Sequence, residues 1–226
     1  MPKIPPIPKG SPAARQIHAL HGGRLKHPFE PVWAPDARVR SLGSDPSRES
    51  VAGGGYYGAR YADGKLRNDF WPLMADVLVE PRLLGPEPYG DWEDRYNTLS
   101  ANRVALWDVV RSCERDGPSS DGAIRNARPN DVAGLIATGK TGRWAYARPD
   151  NGTDLERILF TGTRARDLFE RLVMTREART SHRDLWDEPH GHSVVLWTLP
   201  SPSRAHTMPY ARKLELYRAA FQGLGV

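Results

Sequence analysis

Apolar residues gather into four short runs along the chain: 38–43 (RVRSLG), 103–110 (RVALWDVV), 157–160 (RILF) with Thr161-Gly162 behind it, and 193–199 (SVVLWTL). Each is bounded by turn residues and rich in Val, Leu or Ile without strict alternation, the pattern of strands buried on both faces. Between the runs, apolar positions recur at three- and four-residue spacing. Residues 69–78 put Phe70, Leu73, Met74, Val77 and Leu78 on one side of a predicted helix. Residues 164–173 do the same with Ala165, Leu168, Phe169 and Leu172, and 211–221 with Leu214, Leu216, Tyr217 and Phe221. Asn130 is placed to cap a further helix over 131–137. Strands alternating with helices predict an α/β domain whose mostly parallel sheet is covered on both sides. Sites in such sheets collect beyond the carboxyl ends of the strands, so chemistry is sought in the loops after the four runs.

Composition narrows the class. With 226 residues, 39% hydrophobic and 26% charged, the chain can bury a core without disulfides and is not a wholly disordered polymer. No apolar run reaches the ~18–20 residues that span a bilayer, and no charged-then-apolar leader opens the chain, so a cytoplasmic protein without a membrane partner is expected. Cys113 is the single cysteine, which excludes an internal disulfide, an iron–sulfur cluster and a cysteine-based zinc site. His190 and His192 with Asp187 and Glu188 suggest a metal clip, but no third ligand has clear spacing. Gly139-Lys140-Thr141 ends like a phosphate-binding loop but lacks that loop's first glycine in register, which argues against a nucleotide-binding domain.

Charge is placed unevenly. Lys3, Lys9, Arg15, Arg24 and Lys26 precede the first acid, Glu30, and the rest of the chain holds 27 basic against 27 acidic residues. The first 12 residues contain five prolines. Residues 1–27 therefore read as a basic, Pro-rich flexible arm and 28–226 as the folded domain. Such an arm suits a polyanion, although a solvated terminus has the same composition.

Gly43-Ser44-Asp45-Pro46-Ser47 follows the first run and fixes a carboxylate at a strand tip, where an acid also commonly caps a turn. Gly53-Gly54-Gly55-Tyr56-Tyr57 is a flexible run ending in two aromatics, and Asn68-Asp69-Phe70-Trp71 opens a helix. Pro200-Ser201-Pro202-Ser203-Arg204 follows the last run, with Lys213 on the final helix.

The ordered set GSDPS, GGYY, NDFW, LWDVVRSCERDG, ILFTG and LPSPS, with the lead-in HPFEPVWAPDARV, resembles the uracil-DNA glycosylase superfamily over roughly residues 27–221. The nearest branch is the hypoxanthine-DNA glycosylases, with likeness to the mismatch-specific and thymine-DNA glycosylases. The resemblance implies a three-layer α/β/α sandwich around a four-stranded parallel sheet. It also implies a cofactor-free enzyme, expected to be a monomer, that excises a modified base from DNA. Asp45 falls on the superfamily's water-activating Asp or Asn, and Asn68 on the Asn the hypoxanthine branch is thought to use. Tyr57 falls on the base-stacking aromatic, with Phe70 as a further base-binding candidate whose place also suits the core, and Asp108 on a residue that reads the base edge. Ser201, Ser203 and Arg204 fall on the phosphate-pinching loop, with Ser47 and Lys213 as further DNA contacts. The chain departs from the pattern in three places: Leu199-Pro200 replaces His-Pro, Thr161 replaces an Asn, and ten residues separate Tyr57 from Asn68, a longer link than usual.

The chemistry suits these residue types. Breaking an N-glycosidic bond builds positive charge on the sugar and negative charge on the base, so a carboxylate such as Asp45 stabilises the one and orients water. The base must leave the stack, which calls for an aromatic platform and a space-filling loop. An ionised Asp108 accepts hydrogen bonds only and selects a base edge bearing N–H, on a cytosine-type amine or on the ring of hypoxanthine or uracil. Two roles are open on the sequence, repair of a deaminated base or attack on a bulky modified cytosine of phage DNA. A non-catalytic DNA-binding relative is the alternative.

Overall fold

The four apolar runs become one parallel sheet. The computed structural model describes residues 24–32, 34, 36–61, 64–85, 92–115, 121–132, 140–141, 144–145, 155–174 and 194–225. Its strands are β1 (Leu25–Lys26), β2 (Val39–Gly43), β3 (Val104–Asp108), β4 (Val110–Arg115), β5 (Ile124–Pro129), β6 (Lys140–Thr141), β7 (Trp144–Ala145), β8 (Arg157–Phe160) and β9 (Val195–Thr198). The helices are α1 (Arg48–Ala52), α2 (Phe70–Leu78), α3 (Trp92–Ala101), α4 (Thr163–Leu172) and α5 (Tyr210–Phe221). Strands β3, β2, β8 and β9 lie side by side in that order, all parallel. β2 and β3 are buried along their whole length, Arg40 and Ser41 included, whereas β9, expected to be covered on both faces, is a partly exposed edge strand. Helices pack over the sheet to give the three-layer α/β/α sandwich.

Register sets the position of the site. Gly43 pairs with Asp108, Leu42 with Phe160, and Phe160 with Thr198, so the carboxyl ends of all four strands finish at one edge. The helices that start there have local reasons to do so. Asn68 Oδ1 accepts the Phe70 N–H at 2.8 Å at the head of α2. Gly162 precedes α4 at φ 137°, a conformation open to glycine and costly for any side chain.

A second sheet differs from the sequence reading. The run 103–110 splits at Val109, where the chain turns out of the parallel sheet into β4, and β4 pairs antiparallel with β1 and β5. Asn130, the expected helix cap, donates from Nδ2 to the carbonyls of Asp108 (2.8 Å) and Val110 (3.2 Å) and so holds this bend. The rest of the helix expected over 131–137 lies outside the described residues after Val132, as do the His190 and His192 segment and Gly139. Arg24 to His27, read from the sequence as the end of the arm, are built into the fold: Leu25 and Lys26 pair with Cys113 and Ser112.

Candidate active site

Gly43, the last residue of β2, carries the geometry of the site. A Cβ at this position would stand 2.0 Å from Asp108 Oδ1 and 3.0 Å from the Tyr57 hydroxyl. Only glycine lets both groups close over the strand tip. Gly43→Ala is therefore expected to cost about 1–3 kcal/mol by overpacking, measured by chemical denaturation, and to displace Asp108 or Tyr57.

Beyond this tip lies a cleft of about 540 Å³. Asp45, Ser47, Tyr57, Asn68, Asp108, Ser201 and Ser203 all line it, together with Thr161. Asp45 sits deep in the wall. Arg115 Nη2 of β4 stands 2.9 Å from its Oδ2, the two side chains being 1% and 6% exposed, and Cys113 Sγ lies 3.7 Å from the same oxygen. Burial pushes the Asp45 carboxyl up to about 6, against the pull of Arg115 and His27 and with help from Asp108. Ser47 caps α1, its Oγ accepting the Ser50 N–H at 3.0 Å.

Tyr57 has a left-handed backbone, φ 54°, which costs a non-glycine residue of order 1 kcal/mol. Its ring stacks on Phe70 at 4.1 Å between centroids, and its hydroxyl meets Thr161 Oγ1 at 2.8 Å. The ring is thereby fixed at both ends. Phe70, read from the sequence as base-binding, is fully buried behind Tyr57 and does not line the cleft. The stack makes it a backing for the platform.

The ten-residue link between Tyr57 and Asn68 makes a side excursion. The Arg67 N–H donates to the Ala59 carbonyl at 2.7 Å and closes it at its base, returning Asn68 to the cleft. Asn68 then pairs with Ser203, and the Asp69 N–H donates to the Pro202 carbonyl at 2.8 Å. Two loops are thus joined across the mouth.

Asp69 fastens that joint. Its carboxylate meets Arg204 Nε at 2.8 Å and Lys213 Nζ at 3.2 Å, and Lys213 also donates to the Ser203 carbonyl at 2.9 Å. Lys213 is 1% exposed, so its reading as a DNA contact is corrected: the amine is spent inside the protein, positioning the 200–205 loop. Arg204 is 40% exposed and shares Asp69, at the margin rather than in the wall.

The glycine run 53–55 is packed rather than free. A Cβ at Gly55 would stand 2.4–2.7 Å from the Trp92 ring, and one at Gly53 would stand 2.1 Å from the Gly58 carbonyl oxygen. Sequence reasoning also missed His27 and Arg115, the groups that touch Asp108 and Asp45. The signal for His27 was its place in HPF, at the start of the motif-bearing stretch. Among the described residues no cluster of three or more His, Cys, Asp and Glu could hold a metal ion, and no helix is long and apolar enough to cross a membrane.

No protein-family model matches the chain. It is similar to two proteins named hypoxanthine DNA glycosylase. The one from Methanosarcina acetivorans is 35% identical over 111 residues, 49% of this chain and 63% of that protein. The one from Methanosarcina barkeri is 26% identical over 140 residues, 62% of this chain and 73% of that protein. An NMR structure of a candidate uracil DNA glycosylase from Methanosarcina acetivorans superposes with a TM-score of 0.57 at 27% identity, over 85% of this chain and 94% of that one.

Proposed function

We propose that the chain is a member of the uracil-DNA glycosylase superfamily, on the side of its hypoxanthine-DNA glycosylases, and a monofunctional DNA glycosylase. The observation that carries the proposal is one cleft at the strand tips holding a buried carboxylate, Asp45, and a fixed aromatic platform, Tyr57. In this reading an extruded base stacks on Tyr57, a contact worth about 1–3 kcal/mol and indifferent to base identity. Asp108 accepts an N–H of the base edge. Asp45 stabilises the cationic sugar and takes up the proton of the attacking water as the glycosidic bond breaks. Asn68 spends Oδ1 on the Phe70 N–H, so what it offers the water or a base carbonyl is its amide N–H pair. Ser201 and Ser203, which line the cleft, bind the phosphates in this reading. The described wall contains no lysine amine, so the reading has no lyase step and leaves an abasic site in an uncut strand.

For the substrate we favour a deaminated base, hypoxanthine or uracil, because the relatives with assigned substrates are named for hypoxanthine. The excursion over residues 58–67 supports a second version, a bulky modified cytosine of phage DNA and a role in defence, since both its ends, Ala59 and Arg67, line the cleft. Excision assays on uracil, hypoxanthine and glucosylated hydroxymethylcytosine duplexes separate the two. Release from the first two and none from the third rejects defence, and the reverse rejects repair. The basic segment before Arg24 is assigned to the phosphates. Removing residues 1–23, with Lys3, Lys9 and Arg15, is expected to weaken DNA binding and flatten its salt dependence by up to about 0.9 per cation lost. An unchanged slope rejects that assignment.

A further inference from the structure

We propose that His27 is the positioning residue for Asp108: as an imidazolium it holds Oδ2, so that the carboxyl stands beside Gly43 and Tyr57 and offers the cleft an acceptor. The proposal rests on the glycosylase reading for what the acceptor does, and on the geometry alone for the pair itself.

The backbone delivers His27 to this place. β1 pairs with β4, and the His27 N–H then donates to the Arg111 carbonyl at 2.8 Å, which turns the ring inward behind the tip of β3. Nε2 lies 2.8 Å from Asp108 Oδ2, with the two side chains 2% and 5% exposed. Nδ1 lies 2.9 Å from the Phe29 carbonyl oxygen, which can only accept, whereas the Phe29 N–H is farther at 3.3 Å. The Phe29 N–H also points at Nδ1 as a donor, but the shorter contact is to an atom that only accepts, which favours a hydrogen on Nδ1. A ring already protonated at Nδ1 makes a hydrogen bond to a carboxylate through Nε2 by carrying a second hydrogen.

Charge balance points the same way. The groups facing His27 are Asp108 from β3, Asp45 from the loop after β2, and Tyr56, whose ring centroid is 5.8 Å away in the turn after α1. On the far side, Arg115 and Cys113 of β4 contact Asp45. Two buried carboxylates thus share one arginine, and that arginine sits on Asp45. His27 is the cationic partner of Asp108 among the described residues. Burial alone would depress the imidazole, but the hydrogen bond and charge of Asp108, with Asp45 and the Phe29 carbonyl, leave it raised above 6.5. When pH climbs past that raised value the ring becomes neutral: the hydrogen facing the carboxylate is the more strongly held, so Nδ1, towards which the Phe29 N–H also points, gives up its hydrogen. Nε2 still donates, but the positive charge opposite Asp108 is gone, and recognition of the base weakens from the alkaline side.

The test compares wild type with His27→Gln, which keeps a neutral donor, on whichever duplex of the panel wild type cleaves. Expected for His27→Gln is a roughly tenfold lower kcat/KM at pH 7, carried by KM, and loss of the alkaline limb seen in wild type. An alkaline limb of the same midpoint in both proteins overturns the proposal. A second measurement uses no turnover: 15N NMR of the histidine rings in wild type and in Asp108→Asn. Both His27 nitrogens should read as protonated at pH 7 in wild type, and the His27 titration should move to lower pH in Asp108→Asn. A bare Nε2 between pH 5 and 7, or an unmoved titration, overturns the pair. Wild type that releases no base from any duplex, with the NMR result as expected, would reject the glycosylase reading and leave the ion pair standing.

Discussion

Asp45→Asn should slow base release by about 100- to 10,000-fold while DNA affinity stays near the wild-type value. Asparagine preserves the shape of the side chain and its place beside Arg115, but it neither accepts the water's proton nor opposes the charge on the sugar. The pH profile isolates this role. Burial holds the Asp45 carboxyl at about 6, so wild-type kcat/KM should fall as pH drops through 6, where the carboxylate becomes neutral. The residual rate of Asp45→Asn should lack that limb. The same displacement has a cost to the fold. The folded protein takes up a proton at Asp45 more readily than an unfolded chain with an ordinary value of 3.8, so this group's contribution to stability is present below that value and is lost as pH rises through about 6. A carboxylate kept ionised in a dry wall at neutral pH is a functional arrangement at the expense of stability.

Asp69→Ala should cost about 3–5 kcal/mol, because it leaves Lys213, 1% exposed, as a buried charge without its carboxylate. For a chain of this size that is a fall of roughly 6–20 °C in the unfolding midpoint. Adding Lys213→Met to Asp69→Ala should recover much of the loss, since the second change removes the stranded charge. Calorimetry on the two single variants and the double variant reads this directly. A double variant no more stable than Asp69→Ala contradicts the assignment. Lys213→Met alone should leave the salt dependence of DNA binding unchanged, as a lysine that touches no phosphate releases no counterions.

These two residues also mark how far the sequence could be read. Asp45 was legible because a Gly-x-Asp-Pro turn after an apolar run fixes both the strand end and the acid upon it. The parallel sheet was legible for a related reason: its strands are short runs rich in Val, Leu and Ile bounded by turn residues, although β2 also buries Arg40 and Ser41 and β9 is partly exposed. β5 (IRNARP) lies in an antiparallel sheet with much of its surface in solvent, so it carries hardly any apolar signal and went unseen. α3 buries Arg95, whose guanidinium lies 4.8 Å from the Trp92 ring and 5.5 Å from the Trp71 ring, a contact that no periodicity of apolar residues announces. Lys213 and Phe70 have residue types that suit a DNA-binding site, and only tertiary packing decides that one is locked onto Asp69 and the other onto Tyr57. His27 sits in a Pro-rich, turn-rich stretch where a single imidazole has no spacing to interpret. Its partner Asp108 is 81 positions away, and β1 pairing with β4 is what brings them together.

In the proposed reaction Asp45 and Tyr57 form one device that separates a base from its sugar. Mass spectrometry of the products of a modified-base duplex, incubated with wild type and with Asp45→Asn, tests it most directly. Wild type should yield free base and an abasic, uncut strand, and the variant at least a hundredfold less of both. Equal release by the two proteins, or no free base from any duplex of the panel, would contradict it.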